Sequence, residues 1–499
     1  MSLSSAALTA KSGLAAVAAE TSILSRNISG NADTAVYSRK IANVATTSTG
    51  AQVVSVTRAA NQAVFENVLS STAAAATQSA LSSGLDSLNQ TIGDISSDSS
   101  GSSNSSSPAA MLSAFANALQ SYEAQPSDSS VAATAISSAK ALASALNSAS
   151  GTIQSVRGQA DSTIATDVQT VNSLLSQFTT LNREIVNGSA TGSDVTDALD
   201  QRDQVLTELS KNIGIITTNN PNGDMSIYTD SGVTLFQGGV ARSVSFKQTN
   251  TFADGVVGNA VYVDGTPITG ASAAMPIASG GIAGLATLRD DVAPTYQAQL
   301  DNIANALIGA FAESSQATAG PDLPGLFTTS GSNALPTNAT GLAANIMVNP
   351  SVDPSRGGNA DLLRDGGISD SGSGDYVYNS SGDASYTSRI SQLIDKLGAT
   401  RSFSSTGEIT TSTTLSGYAT GSISWLESQR SQAASQGSYQ DTLLSTATTA
   451  MSNSTGVNLD NEMSKMLDLE QAYSASAKLI TAIDSMFNAF MTDLGSIQA

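Results

Sequence analysis

At 499 residues the chain is long enough for about two to four domains and at least one large core. It contains no cysteine and no histidine, which excludes disulfides, thiol nucleophiles, thiolate or imidazole metal sites, and acid-base steps that rely on histidine. A net charge of -20 on only 12% charged residues argues against nucleic acid or an anionic membrane as partner, because both select clustered Lys and Arg.

The first predicted element is a long helix. Leu3, Ala7, Ala10, Leu14, Val17, Thr21, Leu24 and Ile28 alternate spacings of four and three, the seam of a coiled coil. "GLAAVAAE" within it has the small residues of a signal-peptidase site, but no basic region precedes it and Lys11 interrupts the apolar run, so an amphipathic helix is the better reading. No stretch reaches the roughly 18 apolar residues of a membrane span. "SGNAD" ends the helix, with Gly30 or Asn31 suited to a left-handed cap. "GAQVVSVTR" (50–58) alternates as a strand, and helical pattern returns over 62–95.

The serine-rich run 96–108 reads as a loop. An amphipathic segment over 109–125 stops at Pro126, and a longer one covers 130–186, with Val171, Leu174, Phe178, Leu181 and Ile185 in one stripe. "DALDQRDQVLTELSKNIGI" continues helical to Gly214. From 215 to about 282, short β-rich runs separated by "NNPNGD", "DSGV" and "VDGTP" predict antiparallel hairpins. Helix resumes with "LRDDVAPTYQAQLDNIANALIGAFAES". Residues 318–382 lack periodicity and read as an irregular surface excursion. Helices over 386–397 and 415–451 lead to the last one, which Asn458 or Asp460 caps. There Leu459, Met466, Leu469, Tyr473, Ile480, Ile483, Phe487, Phe490 and Leu494 hold a second seam, interrupted by Glu462 and Ser476.

Two matching seams at opposite ends of the chain predict that the terminal helices pack on each other and that the middle is an insertion between them. Other signals are weaker. "NNPNGD" lacks the ligand spacing of a calcium loop and is a hairpin turn. Arg202 and Asp203, near Asp200 and Glu208, suit ion pairs or interhelical contacts better than acid-base chemistry. Trp425 suits packing rather than ligand stacking, and "GGIAG" is a turn before a helix.

"LSRNISGNADTAVYSRK" resembles the signature of bacterial flagellar axial proteins, matched at Asn27, Ile28, Asn31, Tyr37, Ser38 and Arg39, with Val36 where that family usually has Gly. "GVNLDNEMSKMLDLEQAYSASAKLITAIDSMF" is similar to the C-terminal signature shared by rod, hook and first hook-associated proteins. Among them, "ALDQRDQVLTELSKNIGI", "NGDMSIYTDSGVTLFQGG", "FANALQSYEAQPSDSSVAATAISSAKALASALN" and "GGIAGLATLRDDVAPTYQAQLDNIANALIGAF" resemble the FlgK family of hook-associated proteins. The resemblance implies a structural subunit of the hook-filament junction. It would be secreted unfolded through the flagellar type III apparatus, with an export chaperone for its C-terminal helix. Its partners would be its own copies in a ring-like helical layer, hook protein on one side and the next hook-associated protein on the other.

The expected fold is mainly α, elongated and multidomain, with paired N- and C-terminal coiled-coil helices and an inserted small β region. The terminal domain is expected over 1–45 and 456–499, a helical domain over 46–212, 283–317 and 383–455, β-hairpins over 213–282 and the irregular insertion over 318–382. Assembly is expected through Leu3, Leu14, Val17, Leu24 and Ile28 of the first helix and the nine seam residues of the last. No cofactor, metal, nucleic acid or membrane partner and no enzymatic activity is expected. The alternatives are a hook or rod protein, expected to be mostly β between its terminal helices, and, in a different class, a secreted adhesin or carboxylate-based hydrolase.

Overall fold

The apolar seam that opens the chain forms helix α1 (Leu3–Gly30) in the computed structural model, which describes residues 3–31, 37–48, 50–91, 107–316, 320–330, 333–370, 372 and 374–497. The left-handed cap expected at Gly30 or Asn31 is absent, since neither residue has a positive φ. Glycine at position 30 serves close approach instead: a Cβ there would lie 2.6 Å from the Tyr37 ring. Val36, with the turn before Tyr37, and residues 96–106 of the serine-rich run lie outside the described residues.

Two antiparallel strands follow, β1 (Lys40–Thr47) and β2 (Gly50–Arg58), and the hairpin packs on α1. Only the second was legible from alternation. The first breaks period two at an irregularity between Asn43 and Val44, so its pattern does not read as a strand. The terminal unit therefore runs on to Arg58, and the helical body begins after it rather than at residue 46.

The body is built on α2 (Gln62–Asn89), α3 (Pro108–Ala124), α4 (Ser129–Thr191) and α5 (Thr196–Asn212). Helix α4 has 63 residues, about 95 Å at 1.5 Å per residue. Its small and aliphatic stripe, including Ala139, Leu142, Leu146, Ile153, Val171 and Phe178, is buried along most of that length. Next come β3 (Ile215–Asn219), β4 (Met225–Thr229), β5 (Thr234–Gln237) and β6 (Val240–Ala241) in one antiparallel sheet. A second contains β7 (Val244–Ser245), β8 (Tyr262–Val263) and β9 (Thr266–Pro267). These are the hairpins expected over 213–282, with "NNPNGD" as the β3–β4 turn, and Phe236 meets Phe178 of α4 edge to face at 4.8 Å.

The helix expected from Leu288 begins earlier. Gly280, at φ 98°, makes the turn, α6 (Gly281–Thr287) follows it, and a π-turn over Leu288–Val292 continues into α7 (Ala293–Ala310). Gly284 brings α6 against α2 so closely that a Cβ would sit 2.4 Å from the Thr77 carbonyl oxygen.

Residues 320–382 are irregular, as expected, but they are not a mere surface excursion. Beyond β10 (Phe327–Thr329), α8 (Leu342–Asn345), β11 (Ile346–Val348) and α9 (Leu362–Asp365), they bury Leu326, Phe327, Ile346 and Val352 in the main core. Phe327 stacks edge-on with Phe115 of α3 and with Phe311. Short turns conceal this from periodicity, because single apolar residues between turns carry no repeat. The chain closes with α10 (Ser388–Gly398), the two-residue strands β12 (Arg401–Ser402) and β13 (Ser412–Thr413), α11 (Leu415–Thr455) along α2, and α12 (Leu459–Ile497) along α1. Trp425 of α11 stacks on Tyr296 at 6.5 Å and packs on the core. No helix of the described residues is long and apolar enough to cross a membrane.

Candidate functional site

Helices α1 and α12 form an antiparallel pair, with Gly13 opposite Ser476 and Asn27 bonded to Glu462. Asn458 caps α12 by accepting from the Asn461 N–H at 3.1 Å. From the predicted seam, Leu24 is buried, and Leu3, Leu14, Val17, Ile28, Met466, Leu469 and Ile480 are half-buried at the contact. Among the described side chains of α12, Ile483 is the most enclosed apolar one, 7% exposed. Leu459, Tyr473, Phe487 and Phe490 are exposed, contrary to expectation, and the Leu494 side chain lies outside the described residues.

The reason differs along the helix. Leu459 stands at the first position of α12, level with the end of α1, whereas Tyr473 lies on the stripe between Met466 and Ile480 and still leaves about half of its surface exposed. Phe487 and Phe490 lie on the stripe itself but beyond the level of Leu3, so no described residue of α1 reaches them. Phe490 is 60% and Met486 56% exposed.

Glu462 and Ser476, read from sequence as interruptions, both lie in the contact face. Glu462 is buried and bonded through Oε2 to Asn27 Nδ2 at 3.0 Å. Asn27 is a hub: its Nδ2 also donates to the Lys40 carbonyl (2.9 Å), while its Oδ1 accepts from the Lys40 N–H (2.8 Å) and the Tyr37 hydroxyl (3.0 Å). One amide thus ties the end of α1 to the start of β1 and to α12. Of the axial-family motif, Asn27 and Tyr37 meet here, Arg39 contributes its backbone N–H to the Thr455 carbonyl (2.8 Å), and Ile28 packs within the coil. The N–H of Asn31 donates to the Asn27 carbonyl at 3.0 Å and carries on the helical pattern.

The coil unit meets the body through charge. Asp194, just before α5, and Asp197, Asp200 and Asp203 within it recur every third residue and form a ladder that winds slowly around the start of the helix. Three cations from three elements of the terminal unit interdigitate with them. Arg26 of α1 pairs with Asp194 (2.9 Å) and Asp197 (2.8 Å); Lys40 of β1 pairs with Asp197 (3.5 Å) and Asp200; Arg58 of β2 pairs with Asp200 (2.9 Å) and Asp203 (2.6 Å). Lys40 Nζ, with no exposed side-chain surface, also donates to the Thr196 carbonyl at 3.1 Å. Burial opposes charge on Arg58, but Asp203 and Asp200 outweigh it and hold the guanidinium above the ordinary arginine range.

Arg202 and Asp203, noted together in the sequence, turn away from each other. Arg202 donates to the Gly223 carbonyl (2.9 Å) in the β3–β4 turn, while Asp203 faces Arg58. Glu208 pairs with Lys211 on the surface. These are the ion-pair and interhelical roles that the sequence favoured. Arg26, Lys40 and Arg58 as partners were missed. The spacing of the four aspartates was the available signal, but it does not name cations more than a hundred residues away.

A second carboxylate site lies at the other side of the body, in a polar cavity of about 500 Å³ that includes Asp254, Asp301, Asn302 and Arg401. Asp301 accepts from the backbone N–H groups of Ala343 (2.7 Å) and Gly341 (3.1 Å), and Asp254 also accepts from Gly341 N. Burial, then the adjacent Asp254 carboxyl, pushes Asp301 up to about 8. The unfolded chain releases this proton near pH 4 and the folded chain only near 8, so the folded form binds more protons in between and stability falls as pH rises through that window. The urea midpoint is therefore expected to drop between pH 5 and pH 8.5, and Asp301→Asn to flatten that dependence. An unchanged pH profile in the variant would show that the pair holds no shared proton.

Comparison with known proteins places this geometry in context. A family model described as the FlgK flagellar hook-associated protein helical domain matches residues 97–332, and one described as the flagellar basal body rod FlgEFG protein C-terminal region matches 449–494. The first covers just under half of the chain. Flagellar hook-associated protein 1 of Bacillus subtilis (strain 168) is 24% identical over 411 residues, covering 77% of this chain and 76% of its own. That of Salmonella typhimurium is 26% identical over 216 residues, covering 43% of this chain and 38% of its own. The solved structure of the flagellar hook junction protein FlgK from Burkholderia pseudomallei overlaps 53% of this chain and 46% of its own, at 20% identity and a TM-score of 0.41. With a helical body matched by one family model and the buried Glu462 end of α12 by another, the chain is similar to the FlgK family of hook-associated proteins, structural components of the bacterial flagellum.

Proposed function

We propose that this chain is a mechanical subunit of the junction between hook and filament, assembling through its terminal coil into a ring-like helical layer. The observation that carries this is the apolar end of α12. Met486, Phe487, Phe490 and Met491, at and beyond the level of Leu3, the first described residue of α1, are exposed, an arrangement costly for a free surface and suited to cover by neighbouring subunits. Hook protein on one side and the next hook-associated protein on the other are the partners this position requires, and their different surfaces call for heterologous contacts rather than a two-fold dimer. Secretion through the flagellar type III apparatus, with a chaperone shielding the C-terminal helix until delivery, agrees with a helix that has no complete cover in one chain. The reading includes no enzymatic role, since the clustered carboxylates serve as ion pairs and loop anchors.

A strain lacking the gene is expected to build hooks of normal length and to release filament subunits into the medium. Loss of hooks would point instead to a hook or rod role, and normal filaments to an adhesin or enzyme.

A further inference from the structure

The polar cavity beside Asp301 is held open by its own hydrogen bonds. Ala298, Asp301, Asn302 and Asn305 of α7 border it, together with two irregular segments, 337–340 and 401–406. Its volume of about 500 Å³ falls within the roughly 300–1,000 Å³ of pockets that take small organic ligands. Both segments are tied down. Asp254 and Asp301 accept together from the Gly341 N–H, Asn302 Nδ2 donates to the Tyr418 hydroxyl (2.8 Å) and the Ser404 carbonyl (3.4 Å), and Arg401 donates to the carbonyls of Ala306 (2.8 Å) and Lys396. A cavity shaped before the ligand arrives spares the cost of ordering its walls on binding.

The groups left unspent define the ligand. Asn305, Thr337, Asn338 and Thr340 border the cavity, and their side chains make no hydrogen bond to another described residue. Asn302 is only 4% exposed, and its Oδ1 accepts no hydrogen bond from a described residue. Amides and hydroxyls of this kind both donate and accept. Phe403 adds an aromatic ring to the border, with Tyr418 stacked on it at 3.9 Å. Charge is balanced as well: one proton shared by Asp254 and Asp301 leaves a single negative charge, and Arg401 is the cation that borders the same space. A net charge of zero gives no advantage to an ion of either sign. Neutral groups that donate and accept, set beside an aromatic ring, match a pyranose, whose hydroxyls do the same around a ring with apolar C–H faces.

We propose that this cavity binds an uncharged pyranose sugar, free or as the exposed end of a glycan chain, with Asn302, Asn305 and Asn338 bonding its hydroxyls and Phe403 meeting a C–H face. The site belongs to the helical body, whose core does not include α12, so sugar binding is a further activity that does not rest on assembly through the coil.

Saturation-transfer NMR on the purified full chain, with the methyl glycosides of glucose, galactose, mannose and N-acetylglucosamine at millimolar concentration, tests the ligand class. An array of immobilised glycans tests its source. At least one of these sugars is expected to bind; a signal from a glycoside alone assigns a free sugar, and array binding assigns a glycan end. Asn305→Trp, at an exposed position of α7 with no internal bond to lose, puts an indole at the cavity and is expected to weaken that binding at least tenfold with the thermal transition retained. Should that variant lose its transition, Asn338→Ala on the exposed wall replaces it, with the same weakening expected. Protonated glucosamine and glucuronate are expected to bind at least tenfold more weakly than the neutral sugar. Absence of binding in both arms overturns the proposal. So does binding that the cavity variant leaves intact, which would put the sugar elsewhere, or equal binding of the charged sugars, which would remove the basis of the ligand class.

Discussion

Replacing Ile483 by Asp is expected to give cells with hooks but without attached filaments, and therefore without motility. The side chain is enclosed between α12 and α1, and a carboxylate there has no partner. Burying a charged group without a partner costs at least several kcal/mol, so the coil opens rather than accept it. The body should be unaffected, because its core along α4 and α7 does not include α12. The purified variant should thus keep a cooperative thermal transition while soft-agar spreading is lost. Phe487→Asp separates two effects, since that residue is exposed within one chain. It should leave the coil of the free subunit unchanged and still weaken filament attachment. Normal swimming by the Ile483 variant would mean that the coil does not carry assembly.

The second large effect is expected at the joint. Asp200 accepts from Lys40, from Arg58 at 2.9 Å and from the Ser38 N–H at 3.3 Å, all away from solvent. Asp200→Ala leaves two buried cations short of a counter-charge, and removing one partner of a buried pair costs about 3–5 kcal/mol. Some of that is relieved because Asp197 and Asp203 remain within reach of Lys40 and Arg58. The amides of β1 and β2 should lose protection in hydrogen exchange by a factor of about 100 or more, since 1.4 kcal/mol is tenfold. Glu208→Ala is the control: its pair with Lys211 is half exposed and contributes about 0–1 kcal/mol. Equal behaviour of the two variants would show that the aspartate ladder does not hold the terminal unit to the body.

What the sequence by itself determined is the part written in local repeats. The three-four spacing of Leu3 to Ile28 and of Met466 to Ile483 marked both terminal helices, the length of the stripe from Ser130 marked α4, and the turn residues after Ile215 marked the hairpins. Periodicity reports how residues a few positions apart share a face, and those elements are decided at that range. The tertiary structure decided the rest. Glu462 reads as a break in an apolar seam because a lone carboxylate belongs in water, yet Asn27, 435 positions away, supplies its donor and draws it inside. Phe487 and Phe490 read as covered because the stripe continues, but the described residues of α1 do not reach them. Asp200 and Asp203 read as members of ion pairs or interhelical contacts, but their cations come from β1 and β2, and only folding brings these together. In each case the burial of a side chain depends on a partner distant in sequence, and spacing along one helix holds no record of it.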